Sequence, residues 1–142
     1  MYTSEKIFIM KFLAGLKKLG ITEIPYDNME FYNGAESMQQ YFQQHRKAMG
    51  SHANELSMLF LKNPMGGIFS EFREGIARQN GGLMTFENPH YVSATIKLDR
   101  EGVDYILNQE DNLDVSNEQI LELSKAFCYG AGLAFEAEEI QY

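Results

Sequence analysis

From Tyr91 to Leu98 the sequence alternates with a period of two. Val92, Ala94, Ile96 and Leu98 fall on one side, and Tyr91, Ser93, Thr95 and Lys97 on the other. Successive side chains of extended backbone point to opposite faces, so the alternation predicts a half-buried strand. Leu83 to Glu87 is a second extended run just upstream, and Asn88-Pro89 turns the chain between the two. The expected hairpin therefore spans 83–87 and 91–98. Elsewhere apolar residues recur every three or four positions, the period of a helix packed on one side. The chain is predicted to be α+β and predominantly helical, with one β-hairpin among about six helices. Its 142 residues suit one domain, 1–142, without repeat or linker.

Punctuation sets the helix bounds. Phe8, Phe12, Leu16 and Leu19, with Ile9 and Leu13, predict a first helix over Ser4 to Leu19, with Lys11 and Lys18 pointing away from the stripe and Gly20 at its end. Ile21 to Tyr32 reads as irregular because Pro25 breaks any helix. Asn33 with Glu36 has the spacing of a capping box and predicts the start of a second helix, whose apolar face is Met38, Tyr41, Phe42, His45 and Met49. Gly50 and Ser51 interrupt it. A third helix over His52 to Lys62 would bury Leu56, Leu59 and Phe60. Asn63, Pro64, Gly66 and Gly67 then break the chain, and a fourth over Ile68 to Gln79 would turn Phe69, Phe72 and Ile76 inward. Asn80-Gly81-Gly82 ends it. Asp99 caps a short helix carrying Val103, Ile106 and Leu107, and Ser116 opens a last helix, over 116–138, with the stripe Ile120, Leu123, Phe127, Ala131 and Ala134.

Charge is distributed unevenly. Residues 1–62 carry 7 Lys+Arg and 6 Asp+Glu, a net of +1, and residues 63–98 carry 3 of each. Residues 99–142 carry 2 basic and 11 acidic residues, a net of −9, so the overall −8 belongs to the last third. The first two thirds would not repel a polyanion, but they are not basic enough to attract one strongly. No apolar run approaches the roughly 20 residues of a membrane span, and no signal sequence is legible. The lone Cys128 cannot form an internal disulfide, which agrees with a reducing compartment. A cytoplasmic protein that does not enter the membrane is expected.

The order helix, tight break, helix, hairpin, short helix over residues 51–107 resembles a winged helix-turn-helix domain. The run Ile96-Lys97-Leu98-Asp99-Arg100-Glu101-Gly102-Val103-Asp104-Tyr105-Ile106 looks like a wing strand passing into a capped helix, and Gly82-Leu83-Met84 looks like the entry into the first wing strand. The resemblance implies that the fourth helix would lie in the major groove. Arg73 and Arg78 would then be nucleic-acid-binding residues, with Lys97 and His90 added by the wing. Glu71 and Glu74 on the same helix would offset part of the attraction to phosphate. Winged helices also serve as protein-interaction modules, and the fold does not choose between the two.

The remaining constellations are thin. His45, His52 and Glu55 lack the spacing of a zinc protease helix, and a hydrogen-bonded core histidine is the expectation for His45. Cys128 has acidic and apolar neighbours, which do not activate a thiolate. Gly66-Gly67 lacks the lysine of a phosphate loop, and Glu110, Asp111 and Asp114 lack the register of a calcium loop. No catalytic, metal or cofactor residue is assigned. The expected function is that of a non-catalytic protein-interaction or regulatory module, and the alternative is a DNA-binding winged-helix regulator. The wide apolar arc of the first helix and the small residues Gly130 and Gly132 also raise a homodimer through Phe8, Phe12, Gly130 and Gly132, with packing of the same helices inside one chain as the competing outcome.

Overall fold

The computed structural model describes residues 3–63, 67–86 and 92–135. Six α-helices are present among them: α1 (Ser4–Lys18), α2 (Met29–Gln44), α3 (Ala53–Ser57), α4 (Ser70–Ala77), α5 (Arg100–Leu107) and α6 (Asn117–Ala131). Five short strands accompany them: β1 (Glu23–Pro25), β2 (Lys62–Asn63), β3 (Gly67–Ile68), β4 (Met84–Thr85) and β5 (Ser93–Ile96). The protein is α+β and predominantly helical, as the periodicity predicts. Among the described residues no helix is long and apolar enough to cross a membrane.

α1 is the axis of the molecule. Thr3 Oγ1 accepts from the Lys6 N–H at its start, and Lys17 and Lys18 complement the dipole at its end. The exit is a Schellman turn: Gly20 takes φ +89°, its N–H donates to the Lys17 carbonyl, and the Ile21 N–H donates to that of Leu16. Every residue from Lys11 to Leu16 is buried, because α3, α4, α5 and α6 all pack around this helix. The wide apolar arc is thus used within one chain. Phe8 and Phe12 are fully enclosed, so neither offers surface to a second copy. Lys11, expected on the outer side, is buried too, because α5 and the loop after it cover that side.

The sheet is larger than a hairpin. β4 and β5 pair antiparallel with Met84 opposite Ile96, and β1 adds to the other side of β5 with Ile24 opposite Ala94. The strand order is β1-β5-β4. Pro25 disqualifies a helix but not an edge strand, where a missing N–H can face outward. A second, two-stranded pairing of β2 with β3 occupies the break after α3. β5 is shorter than the alternation suggests: Ala94 and Ile96 are buried, but Val92 is 47% exposed and lies outside the strand. The Asn88-Pro89 turn and His90 lie outside the described residues.

Other boundaries also differ from expectation. α2 begins with Asn28, whose Oδ1 accepts from the Phe31 N–H, and Asn33 lies inside the helix. α3 is one short turn followed by a 3-10 segment over Met58–Phe60. α4 starts at Ser70, leaving Ile68 exposed in β3. α6 ends at Ala131 rather than near 138, because Gly132 takes φ +74° and caps it; residues beyond 135 lie outside the described set. The caps at Asp99 and Ser116 are where the sequence puts them, accepting from the Gly102 and Gln119 N–H groups.

A phenylalanine cluster joins the helices. Phe31 stacks on Phe72 with ring centres 5.6 Å apart, and Phe12 meets Phe72 at 5.5 Å and Phe127 at 5.3 Å. α2 and α6 pack closely at Gly130. A methyl group there would lie 2.3 Å from the Asn33 carbonyl oxygen. The close helix approach expected of the small residues is real, and it is made inside the chain.

Candidate functional site

The packing of α1 against α3 and α5 is incomplete at one end. There a cleft of about 720 Å³ opens between the start of α1, residues 52–55, α5 and the loop 109–113. This is within the size range of ligand and side-chain recognition sites. Ile7, Met10, Tyr105, Ile106 and Leu113 give it apolar walls. The 3.6-residue period places Ile7 and Met10 on one flank of α1, while Phe8 and Phe12 turn into the core.

Its floor holds an ion pair. Lys11 Nζ lies 2.9 Å from Asp111 Oδ2, and the two side chains are only 7% and 11% exposed. Lys11 also reaches the Gln109 carbonyl at 3.5 Å. Asp111 Oδ1 accepts from the Leu113 N–H at 2.8 Å, which folds the loop back on itself. Oδ2 is fully enclosed and has no aligned hydrogen-bond donor, so its contact with Lys11 is an ion pair only. Removing either partner would leave a buried charge uncompensated, a far larger penalty than loss of a surface pair.

The rim carries Ser4, His52 and Glu55. Ser4 Oγ lies 3.2 Å from His52 Nδ1, and Glu55 Oε1 lies 3.3 Å from the same nitrogen. A hydrolytic triad needs the two partners on opposite ring nitrogens, one to orient the imidazole and one to deprotonate the hydroxyl. Here both converge on Nδ1, and reversing the ring would not separate them. This trio is a hydrogen-bonded rim and not a proton relay. The charged side chains of the lining are mostly acidic: Glu5, Glu55, Glu110 and Asp111 stand against one lysine, Lys11.

The residues expected on a nucleic-acid face are partly engaged elsewhere. Arg73 on α4 pairs with Asp27 at 3.9 Å and with Glu74 at 3.6 Å. Its backbone carbonyl accepts from the Tyr26 hydroxyl at 2.9 Å. Burial pushes the Tyr26 phenol up to about 12, and burial with the Tyr32–Asp27 hydrogen bond does the same for Tyr32. Arg78 is 66% exposed and meets Glu74 one turn back. The outward face of α4 thus shows Glu71, Glu74 and Arg78 together. Lys97, just past β5, is exposed on the sheet side. Arg73 and Arg78 share the Glu74 carboxylate.

The histidines and the cysteine are also placed. His45 is exposed, contrary to expectation: α2 ends there, the ring stacks on Tyr41 at 3.9 Å, and its Nδ1 donates to the Tyr41 carbonyl. Among the described residues no group of three potential metal ligands converges. Cys128 is buried, and burial raises its thiol to about 11. Gly130 is filled by α2, whereas Gly132, which caps α6, is exposed with open space around its α-carbon.

The sequence contains one signal for the cleft: a lysine inside the apolar run of α1. Its significance depends on Asp111, which lies far away in the chain. Comparison with protein-family models, with curated proteins and with solved structures finds no match.

Proposed function

We propose that this chain is a non-catalytic interaction module of the cytosol, and that it receives an apolar group of its partner in the cleft between α1 and α5. The observation that carries this reading is the cleft itself: apolar walls of about 720 Å³ over a buried ion pair, with the nearest histidine held in a geometry unsuited to proton transfer. On this reading the partner is a different molecule, which is supported by the enclosure of Phe8 and Phe12 and the packing of Gly130 against α2; Gly132 alone of the residues expected in a self-contact is exposed. Nile red, a neutral apolar dye, tests the reading. A saturable rise in its fluorescence at one dye per chain is expected, and Ile7→Trp, which fills the cleft, should abolish it while leaving the circular dichroism unchanged. Absence of a saturable rise with the wild-type protein would overturn the proposal.

A DNA-binding winged-helix regulator is the second reading. It is supported by the passage from α4 through Asn80-Gly81-Gly82 into β4, and from β5 into the Asp99-capped α5, in a sheet completed by β1. Glu71 and Glu74 beside Arg78, and the ion pairs of Arg73, weigh against it. On this reading wild-type protein retards duplex DNA at low salt, and the double replacement Arg73→Ala with Arg78→Ala weakens binding and flattens its salt dependence. No retardation at low salt would sink it.

A further inference from the structure

The cleft does not end at the loop that floors it. A second, shallower hollow of about 590 Å³ lies on the solvent side of α5, and it shares Tyr105, Gln109 and Glu110 with the first. The two form one elongated depression, with Tyr105 between them. That ring is 70% exposed, although most aromatic rings of this protein lie in the core. The first hollow is walled by apolar side chains. The second is walled by Glu101, Asp104 and Glu110 and has no basic residue in its lining. The nearest cations in sequence, Lys6 and Arg100, line neither hollow.

We propose that this depression docks a basic polypeptide segment, with an apolar anchor side chain in the cleft and the flanking lysines or arginines along the acidic face of α5. This rests on the reading of the cleft as a recognition site and adds the partner's chemistry. Charge complementarity sets the sign. Five carboxylates not engaged by Lys11, those of Glu5, Glu55, Glu101, Asp104 and Glu110, surround the depression and attract cations while repelling an acidic partner. The pair of hollows selects a chain rather than a compact molecule, because the apolar walls are confined to the first, carboxylates edge both, and only an extended ligand passing Tyr105 occupies the two together. Tyr105 supplies a rigid ring between them against which a lysine stem or guanidinium can lie.

The test uses the full chain and a short fluorescein-labelled peptide of alternating lysine and leucine, read by fluorescence anisotropy at low salt. Saturable binding is expected, and it should weaken about tenfold in the triple variant Glu101→Gln, Asp104→Asn, Glu110→Gln. A control triple, Glu30→Gln, Glu71→Gln, Glu118→Gln, makes the same change in net charge at exposed positions outside the lining of either hollow, and should stay within about twofold of wild type. Tyr105→Ala should weaken binding as well. Equal losses in the two triples would reduce the effect to net-charge attraction and overturn the proposal. So would equal binding of a glutamate–leucine peptide, or equally tight binding of naphthylmethylamine alone, which would make the ligand a small amine. If Nile red enters the cleft but the basic peptide does not bind, this inference fails and the interaction module stands. If neither binds, both fail.

Discussion

At the scale of single residues, the core is set by ring geometry. Phe72 touches Phe12, Phe31 and Phe60 at once, with centres 5.4–5.6 Å apart. Truncation to alanine opens a cavity that three rings border, so Phe72→Ala should cost about 3–5 kcal/mol in urea unfolding. Cys128 makes a pH-dependent contribution. The folded protein holds the thiol proton up to about 11, against 9.0 for the free group. The native state therefore binds more protons than the unfolded chain between those values, and stability present in full below pH 9 is lost as pH rises toward 11. Cys128→Ala should remove a loss on the order of 2 kcal/mol over that window. An unchanged slope of unfolding free energy between pH 9 and 10.5 would show that the thiol contributes nothing. Single residues were legible where one period decided them: of the positions singled out for the core, Phe8, Phe60, Ile76 and Phe127 are all enclosed. Val92 was not, because alternation reports a strand but not where the strand stops. Lys11 was not either, because periodicity assigns a lysine to the outside unless its counter-charge is known.

Among the elements, the two ends of a helix differed in how clearly the sequence marks them. Asp99 and Ser116 stand directly before their helices and cap them, whereas Asn33 had a capping spacing yet lies inside α2, since Asn28 caps first. β1 escaped notice because a three-residue edge strand has no measurable period, and its proline counts only against a helix. The candidate cleft was illegible for a related reason: it is a gap between α1, α3, α5 and a loop, and gaps have no sequence signature. The contact of α2 with α6 makes a sharp prediction. In Gly130→Ala the new methyl would meet the Asn33 carbonyl at 2.3 Å, and a backbone oxygen inside a helix cannot swing aside. The helices must part, and the variant should lose about 2–3 kcal/mol in thermal or urea unfolding. Retention of wild-type stability would mean that this pair of helices is not so close in solution.

Across the whole molecule, the arrangement places α1 at the centre with later segments wrapped around it. Since Phe8, Phe12 and Leu16 are covered from within, sedimentation equilibrium at micromolar concentration should find a 16.3 kDa species. A stable dimer would require an interface on surfaces other than Phe8, Phe12 and Gly130. The central place of α1 also has a consequence during synthesis. Its neighbours Phe72 and Phe127, and Ser124, which hydrogen-bonds the Phe12 carbonyl, are translated long after it. At about 5–20 residues per second, the first helix waits roughly 10 s outside or within the ribosomal exit tunnel before α6 can close over it. Throughout that interval its most apolar face has no native partner on the last side. The emerging chain is therefore most vulnerable to aggregation, and most attractive to a chaperone, along α1, and the cover over this helix is completed only when α6 arrives.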